Sequence, residues 1–192
     1  MSEILSVIER RKARRAISNR PIAREAIEIL LEAAHVAPSC ANNQPWRFVA
    51  ADDPEVLDRV KEHLAGGNYW AKPSPVIIAL ASRPELDCQI PDGRAYYAFG
   101  CGMAAMNLML QATDLGLIAH PIAGFKQKPI KEVLGIPEDT TLIALIVLGH
   151  PAETANALSE KHRTEEIAPR TRRPLSKVVS WNRFDISADP ET

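Results

Sequence analysis

Basic side chains are concentrated at two distant places in this sequence. Five of the six positions 10–15 are basic, and a second cluster consists of Arg170, Arg172 and Arg173. One interpretation is solvated surface, with cations near the negative end of a helix dipole. The other is an anion site to which both ends of the chain contribute, because guanidinium groups bind phosphate through paired hydrogen bonds. The two clusters alone leave both interpretations open.

Three cysteines and five histidines offer further reactive groups. Cys40, Cys88 and Cys101 are an odd number with no C-x-x-C pair, which favours reduced thiols over a disulfide framework or a zinc site. Cys40 could act as a nucleophile with His35 as its base, but no third group that would orient the pair is evident. The histidines show no metal-binding spacing, so we expect surface or hydrogen-bonded histidines and no metal site.

Positions 100–105 read GCGMAA, which matches the pattern of a dinucleotide-binding turn. Such a turn must follow a strand, whereas positions 96–99 continue a helical pattern, and the expected acidic residue about 20 positions further on is missing. The small residues here would instead let another backbone approach closely. We therefore expect a central or subunit-spanning helix.

Composition limits the class of protein. The 192 residues include 46% hydrophobic residues, and 23 basic residues nearly balance 24 acidic ones. This composition predicts a folded core and disfavours a disordered chain or a polycation that coats nucleic acid. No stretch approaches the roughly 18 apolar residues that a membrane span needs, and positions 1–12 are charged, so we expect a cytoplasmic protein with no membrane partner.

Hydrophobic periodicity and turn residues predict the elements that must position these groups. Helices are expected at 4–11, 22–37, 54–65, 95–115 and 129–134, and strands at 46–51, 75–82, 117–122 and 142–148. Residues 1–151 would form the core. The segment 152–192 mixes charge, proline and lone aromatics such as Trp181 and Phe184, so we expect it to form a C-terminal arm that packs on another surface.

Six segments follow one another in a characteristic order. They read RRKAR at 10–14, APSCANNQPW at 37–46, PIAGF at 121–125, LGIPE at 134–138, LGHP at 148–151 and R-x-R-x-P-L at 170–175. In sequence and order, over nearly the whole chain, they resemble the signature regions of the FMN-dependent nitroreductase family. The resemblance implies an α+β fold, with a mixed or antiparallel sheet flanked by helices, in an intertwined homodimer. The arm would wrap around the partner subunit, and FMN would bind at the interface.

The resemblance also implies which residues contact FMN. The phosphate and ribityl end would be lined by Arg10, Arg11, Lys12, Arg14, Arg170 and Arg172. A loop from the other subunit would supply Pro38, Ser39, Cys40 and Asn42, and Cys40 stands where the family usually has a serine or similar small residue. Asn68 would bind the pyrimidine edge with Lys72 nearby, although a turn residue and a solvated lysine are the alternatives. Pro121, Ile122, Ala123 and Gly124 would place a backbone N–H near N5, with Ala123 replacing an acidic residue of some relatives.

The implied activity is an oxidoreductase in which NADH or NADPH reduces FMN by hydride transfer to N5. A small electron-poor acceptor, such as a nitroaromatic or a quinone, would then be reduced in a ping-pong cycle. No acid–base residue is required, and His120 is the one side chain considered as a proton source. The alternatives are a relative with the same fold and FMN that cleaves flavin or removes halogen, a non-catalytic FMN-binding protein, and a basic-arm nucleic-acid binder. Over these alternatives we expect the NAD(P)H-dependent enzyme, with no nucleic-acid partner.

Overall fold

A computed structural model of the chain describes residues 4–185. The helices are α1 (Ser6–Arg10), α2 (Arg24–His35), α3 (Pro54–Lys61), α4 (Tyr96–Asp114), α5 (Gln127–Leu134) and α6 (Glu160–Ile167). The strands are β1 (Arg47–Ala51), β2 (Val76–Ser82), β3 (Ile118–Ile122) and β4 (Thr141–Gly149). The four predicted strands and five predicted helices are confirmed within a few residues at their ends, whereas α6 was not predicted.

The strands form one antiparallel sheet in the order β1-β2-β4-β3. Its two central strands, β2 and β4, are the two longest apolar runs of the chain, and every residue of β2 is buried. A strand with neighbours on both sides and helices on both faces must be apolar throughout, which explains why these segments lack alternation. The α+β fold with helices flanking an antiparallel sheet is therefore confirmed.

Successive residues of β2 point to opposite faces of the sheet and divide the core into two layers. Ile78 and Leu80 pack in a layer with α2 and α4, whereas Ile77 and Ala79 pack with α3 and α5. Each fully buried aliphatic side chain contributes about 1.5–3 kcal/mol to the stability of the fold. We name these two layers the α2–α4 face and the α3–α5 face.

Helix α4 uses its small residues for close packing. A Cβ atom on Gly100 would lie 3.3 Å from Cγ of Pro45, so glycine lets this helix approach the segment before β1. Cys101 is fully buried, and burial raises the pKa of its thiol to about 11, which keeps it neutral. The helix at this position confirms that the glycine pattern is not a nucleotide-binding turn.

The first part of the C-terminal segment packs on its own chain. Leu158 is buried in the core, and the backbone N–H of Ser159 donates to the hydroxyl oxygen of Tyr69 at 2.7 Å. The Tyr69 ring also stacks on His162 with ring centroids 5.5 Å apart. These contacts attach α6 to the body of the subunit.

The next part of the segment exposes large apolar side chains. Between 63% and 84% of the surface of each of these residues is accessible, and they are Leu175, Val178, Trp181 and Phe184. Residues 186–192 of the predicted arm lie outside the described residues. The boundary at position 151 and the packing of the arm on a partner stay predictions. Within 4–185, no helix combines the length and the apolar character needed to cross a bilayer.

Candidate anion and cofactor site

Three arginines from the two ends of the chain come together at the end of α1. Arg11 follows the last residue of this helix, and Arg170 follows α6 and donates from Nη1 to the backbone oxygens of Ile8 (3.0 Å) and Arg11 (3.3 Å). Burial lowers the pKa of the Arg11 guanidinium, and the positive charges of Arg170 and Arg172 lower it further. Like charges held together in this way make a site that a bound anion would stabilise.

A buried carboxylate holds the basic segment against α6. Only 4% of the Glu166 side chain is exposed, and its Oε1 accepts from Nε of Arg14 at 2.8 Å. Its Oε2 accepts from the backbone N–H groups of Arg15 (2.7 Å) and Ala16 (3.3 Å). Such a carboxylate is stable when buried because each oxygen has a hydrogen-bond donor. Glu166 therefore sets the position of the segment that carries Arg11.

Two of the other predicted phosphate ligands make contacts within the chain. Nζ of Lys12 donates to the backbone oxygens of Glu166 at 2.6 Å and Ala168 at 2.7 Å. Nη2 of Arg10 lies 3.1 Å from Oδ1 of Asp114, and both side chains are more than half exposed. Of the six predicted basic contacts, the structure thus brings Arg11 together with the two arginines of the arm. It pairs Arg10 and Arg14 with carboxylates and Lys12 with backbone oxygens.

A second group of predicted residues meets beside β3. Nδ2 of Asn68 donates to the backbone oxygen of Gly124 at 2.7 Å, and the backbone N–H of Ala65 donates to the same oxygen at 2.8 Å. A Cβ atom on Gly124 would lie 2.8 Å from Nδ2 of Asn68, which is closer than real Cβ contacts. Glycine is therefore required for this approach. Asn68 is more than a turn residue, because it joins the two segments for which flavin contacts were predicted.

The remaining members of the loop after β3 differ in exposure. Pro121 and Ala123 are exposed, whereas Ile122 is buried in the α3–α5 face. Nearby, a cavity of about 500 Å³ is lined by Asn68, Lys72 and Lys61 among others. Burial lowers the pKa of Lys61, although the carboxylate of Asp58 acts in the opposite direction. Lys72 therefore lines the same cavity as Asn68, and its place beside a flavin ring stays a prediction.

His120 supports the basic segment from behind. Its Nδ1 lies 2.8 Å from the backbone oxygen of Arg14, and because a carbonyl can only accept, Nδ1 carries the proton. The ring is 4.5 Å from that of Trp70, and 9% of the residue is exposed. Burial lowers the pKa of His120, and the charges of Arg15 and Arg11 act in the same direction, whereas the hydrogen bond to the backbone of Arg14 and the charge of Glu166 oppose the shift. These contacts favour a positioning role for His120.

Stability should fall on acidification because of His120. The unfolded chain binds a proton below about pH 6.5, while the folded state resists it, so the His120 contribution is complete above that pH and is lost as the pH falls through the lower folded pKa. Urea unfolding of wild type and His120→Asn between about pH 5.5 and about pH 7.5 should show a shallower pH dependence in the variant. His63→Asn controls for the loss of another imidazole. Parallel curves for wild type and His120→Asn would contradict the prediction.

The loop at 38–44 has an unusual backbone. Ala41, Asn42 and Gln44 have φ angles of 46°, 58° and 51°, a region that favours glycine and tolerates asparagine. Oγ of Ser39 accepts from the backbone N–H of Gln44 at 2.9 Å and closes the loop. Non-glycine residues in this region cost of order 1 kcal/mol or more each, and such strain concentrates in ligand-binding segments. Asn42 is exposed at the outer surface of this loop.

The expectation of reduced thiols is wrong for two of the three cysteines. Cys40 and Cys88 are joined by a disulfide, whereas Cys101 is free and buried. The two bonded cysteines are 48 positions apart, and nothing in that spacing indicates that the 38–44 loop meets the connection after β2. Nδ1 of His35 accepts from Nε1 of Trp46 at 3.2 Å, so the structure also gives no Cys–His pair.

The 38–44 loop and the Asn68–Gly124 pair lie on different sides of the subunit. The loop leads into β1 at one edge of the sheet, and Trp46 packs in the α2–α4 face. Gly124 follows β3 at the other edge, and its neighbour Phe125 packs on the α3–α5 face. Four strands at about 4.8 Å spacing put the two edges about 14 Å apart. Within the described chain, these two groups of predicted flavin contacts are therefore separate from each other.

Comparison with known proteins finds relatives over most of this chain. The model of the nitroreductase family matches residues 8–83 and 65–150. A protein of Archaeoglobus fulgidus, provisionally named NADH dehydrogenase/NAD(P)H nitroreductase, is 32% identical over 157 residues, which are 80% of this chain and 88% of that protein. An iodotyrosine deiodinase of Haliscomenobacter hydrossis is 28% identical and covers 80% of this chain and 82% of its own length.

The fold of this chain is also similar to that of a solved structure. The crystal structure of an oxidoreductase containing FMN is 33% identical, with a TM-score of 0.85 and coverage of 96% of both chains. The family model spans most of the residues that form the sheet and its flanking helices, and the similarity extends through sequence and structure alike. This chain belongs to the nitroreductase family.

Proposed function

We propose that this chain is an FMN-dependent oxidoreductase that takes electrons from NADH or NADPH and reduces a small electron-poor acceptor such as a nitroaromatic or a quinone. The observation that carries the proposal is the cluster of Arg11, Arg170 and Arg172, in which Arg170 donates to the backbone of Arg11 and both arm arginines lower the pKa of Arg11. A similar protein contains FMN, and a relative is named for NAD(P)H nitroreductase activity. A phosphate-bearing flavin supplies the anion that this cluster lacks among residues 4–185.

The donor groups of the chain fit FMN. Two arginines of the arm and Arg11, which follows α1, would bind the phosphate through charge-assisted hydrogen bonds. Asn68 is held by Gly124 with its side-chain oxygen left as an acceptor, and glycine at 124 leaves room for the Asn68 amide to reach this backbone. FMN bound there would supply the redox chemistry, which is hydride transfer from the nicotinamide to N5 and electron transfer to the second substrate.

The residues of the chain would then position the cofactor and stabilise its charge. Lys61 and Lys72 on the cavity wall would stabilise negative charge on a bound ring, since positive charge favours the more anionic form. Glu166 and His120 hold the segment that carries Arg11. No side chain of this chain is required to donate or accept a proton for this scheme.

The test is spectroscopic and kinetic. Purified protein should be yellow and, without oxygen, should lose its flavin absorbance on addition of NADH or NADPH. A nitroarene, a quinone and an iodotyrosine are then offered separately as oxidants, so that dehalogenation, the activity named for the Haliscomenobacter relative, is compared directly. Double-reciprocal plots should be parallel for a ping-pong cycle. Colourless protein that does not bind added FMN would refute the proposal.

We further propose that the working form is a homodimer in which each subunit supplies one half of two FMN sites. The two groups of predicted contacts lie on different faces of one chain, and a second copy related by two-fold symmetry can bring them together. The apolar side chains of Leu175, Val178, Trp181 and Phe184 would be covered by that copy. Location in the cytoplasm stays a prediction.

Truncation after Arg173 should separate assembly from folding. It removes the exposed apolar side chains but keeps α6, Glu166 and the arginine cluster, so the subunit should stay folded while dimers are lost. Sedimentation velocity measures the assembly, and circular dichroism checks the fold. Truncation after Pro151 is a poor substitute, because it also removes Glu166 from the core. A truncated chain that sediments as a dimer would show that this segment is not part of the interface.

A further inference from the structure

A cluster of ligand atoms lies at the end of the subunit that carries the 38–44 loop. The sulfur atoms of Cys40 and Cys88 and a carboxylate oxygen of Asp87 all lie within 4.8 Å of one another. Cys40 belongs to a single helical turn before β1, and the other two follow the turn Pro84–Leu86 after β2. Both cysteines are half-buried rather than enclosed, so small ions can reach them.

One carboxylate oxygen of Asp87 in this cluster is buried without a hydrogen-bond partner among residues 4–185. Only 7% of the residue is exposed, and this oxygen is Oδ2. Its Oδ1 accepts from the backbone N–H of Cys88 at 2.8 Å and faces Nδ2 of Asn43 at 3.5 Å. Buried carboxylate oxygens are rarely left unpaired, because their desolvation is costly. A cation beside the two sulfurs would supply the missing interaction.

We propose that reduction of the Cys40–Cys88 disulfide opens a binding site for a thiophilic divalent cation of the Zn²⁺ type. Two thiolates and one carboxylate are a ligand set that zinc accepts, with a fourth position for water. Sulfurs about 2.3 Å from a tetrahedral zinc lie about 3.8 Å apart, which is within the spread of this cluster once the bond between them is broken. Nδ2 of Asn43 lies 3.5 Å from both Oδ1 of Asp87 and the sulfur of Cys88, so it helps to orient these ligands.

The chemistry balances with a dithiol as reductant. The dithiol provides two electrons and two protons, the bond between the sulfurs of Cys40 and Cys88 breaks, and the dithiol becomes a disulfide. The metal ion then replaces the protons of the two new thiols, so binding releases two protons. In one state a disulfide joins the 38–44 loop to the connection after β2, and in the other state a metal ion does. This site goes beyond the proposed function and does not depend on it.

Cobalt titration tests the site in the full chain with its cofactor. Protein is reduced with a phosphine, freed of reductant without oxygen, and titrated with Co²⁺, whose thiolate complexes absorb in the red region where oxidised flavin does not. We expect one Co²⁺ per chain in the reduced protein, displacement by Zn²⁺, and none in the disulfide form. Absence of thiolate–cobalt absorption in reduced protein would overturn the proposal.

Variants locate the ligands. Cys40→Ser and Cys88→Ser should each abolish the red absorption, and Asp87→Asn, which keeps the shape of the side chain, should weaken binding by about tenfold or more. Cys101→Ala should still bind one Co²⁺, because its sulfur is not among the three ligand atoms of the cluster. Circular dichroism of each variant confirms folding. Binding that survives both serine variants, or an affinity unchanged in Asp87→Asn, would show that the cluster is not the site.

Discussion

Replacing Arg11 and Arg172 together by alanine is expected to raise the Kd for FMN by about 100-fold or more. Each arginine would make a charge-assisted hydrogen bond to the phosphate, worth about 1.5–3 kcal/mol, and two such losses correspond to factors of about 10² to 10⁴. The variant should also be as stable as wild type without flavin, because the positive charges that lower the pKa of Arg11 include that of Arg172. Quenching of FMN fluorescence by apoprotein measures the affinity.

Arg173 provides the matched control. It is the next residue on the same exposed segment, and its charge is not among the causes that lower the pKa of Arg11. Arg173→Ala should therefore change FMN affinity less than about threefold, which is the scale of a distant, screened charge. An Arg11/Arg172 double variant that binds FMN as tightly as the control would remove the anion site from the proposal.

Glu166→Ala is expected to destabilise the subunit by about 3–5 kcal/mol, because two backbone N–H groups lose their acceptor and each unpaired buried donor costs about 1–3 kcal/mol. These groups are the N–H groups of Arg15 and Ala16, and the partly exposed Arg14 guanidinium also loses its partner. Urea unfolding measures the free energy. FMN should also bind more weakly, because the segment with Arg11 loses its support.

Glu165→Ala is the control that separates the effect of burying a carboxylate from the effect of losing its charge. Glu165 also pairs with an arginine, since its Oε2 lies 2.7 Å from Nη1 of Arg15, but 41% of its side chain is exposed. Solvent screens such a pair, so its loss should cost at most about 1 kcal/mol. If Glu165→Ala and Glu166→Ala lose equal amounts of unfolding free energy, the burial of Glu166 contributes little to stability.

The core elements were predictable because their apolar patterns are local. β2 and β4 are continuous apolar runs that burial on both faces requires, and α2 carries its apolar residues at helical spacing. α6 was missed because the one residue it buries is Glu166, a charged side chain. Its helix is held by ion pairs and backbone contacts to the basic segment, which no amphipathic pattern reveals.

The site was predictable as a set of segments but not as a set of contacts. The two arginine clusters indicated an anion site, and Asn68 with Gly124 was identified through the family resemblance. Which arginine stays without a carboxylate depends on Asp114 and Glu166, whose positions follow from packing. The Cys40–Cys88 pairing likewise depends on two loops that meet only in the folded chain.

The meeting of Arg11 with the two arginines of the arm has a consequence for biosynthesis. These residues are far apart in the chain, as the bond from Arg170 to the backbone of Arg11 shows by its separation of 159 positions. A chain still being translated has no complete arginine cluster until position 172 has left the ribosome. Capture of a phosphate-bearing ligand by the complete cluster must therefore wait until this late segment has been made, and a product that stops before position 170 would lack the cluster.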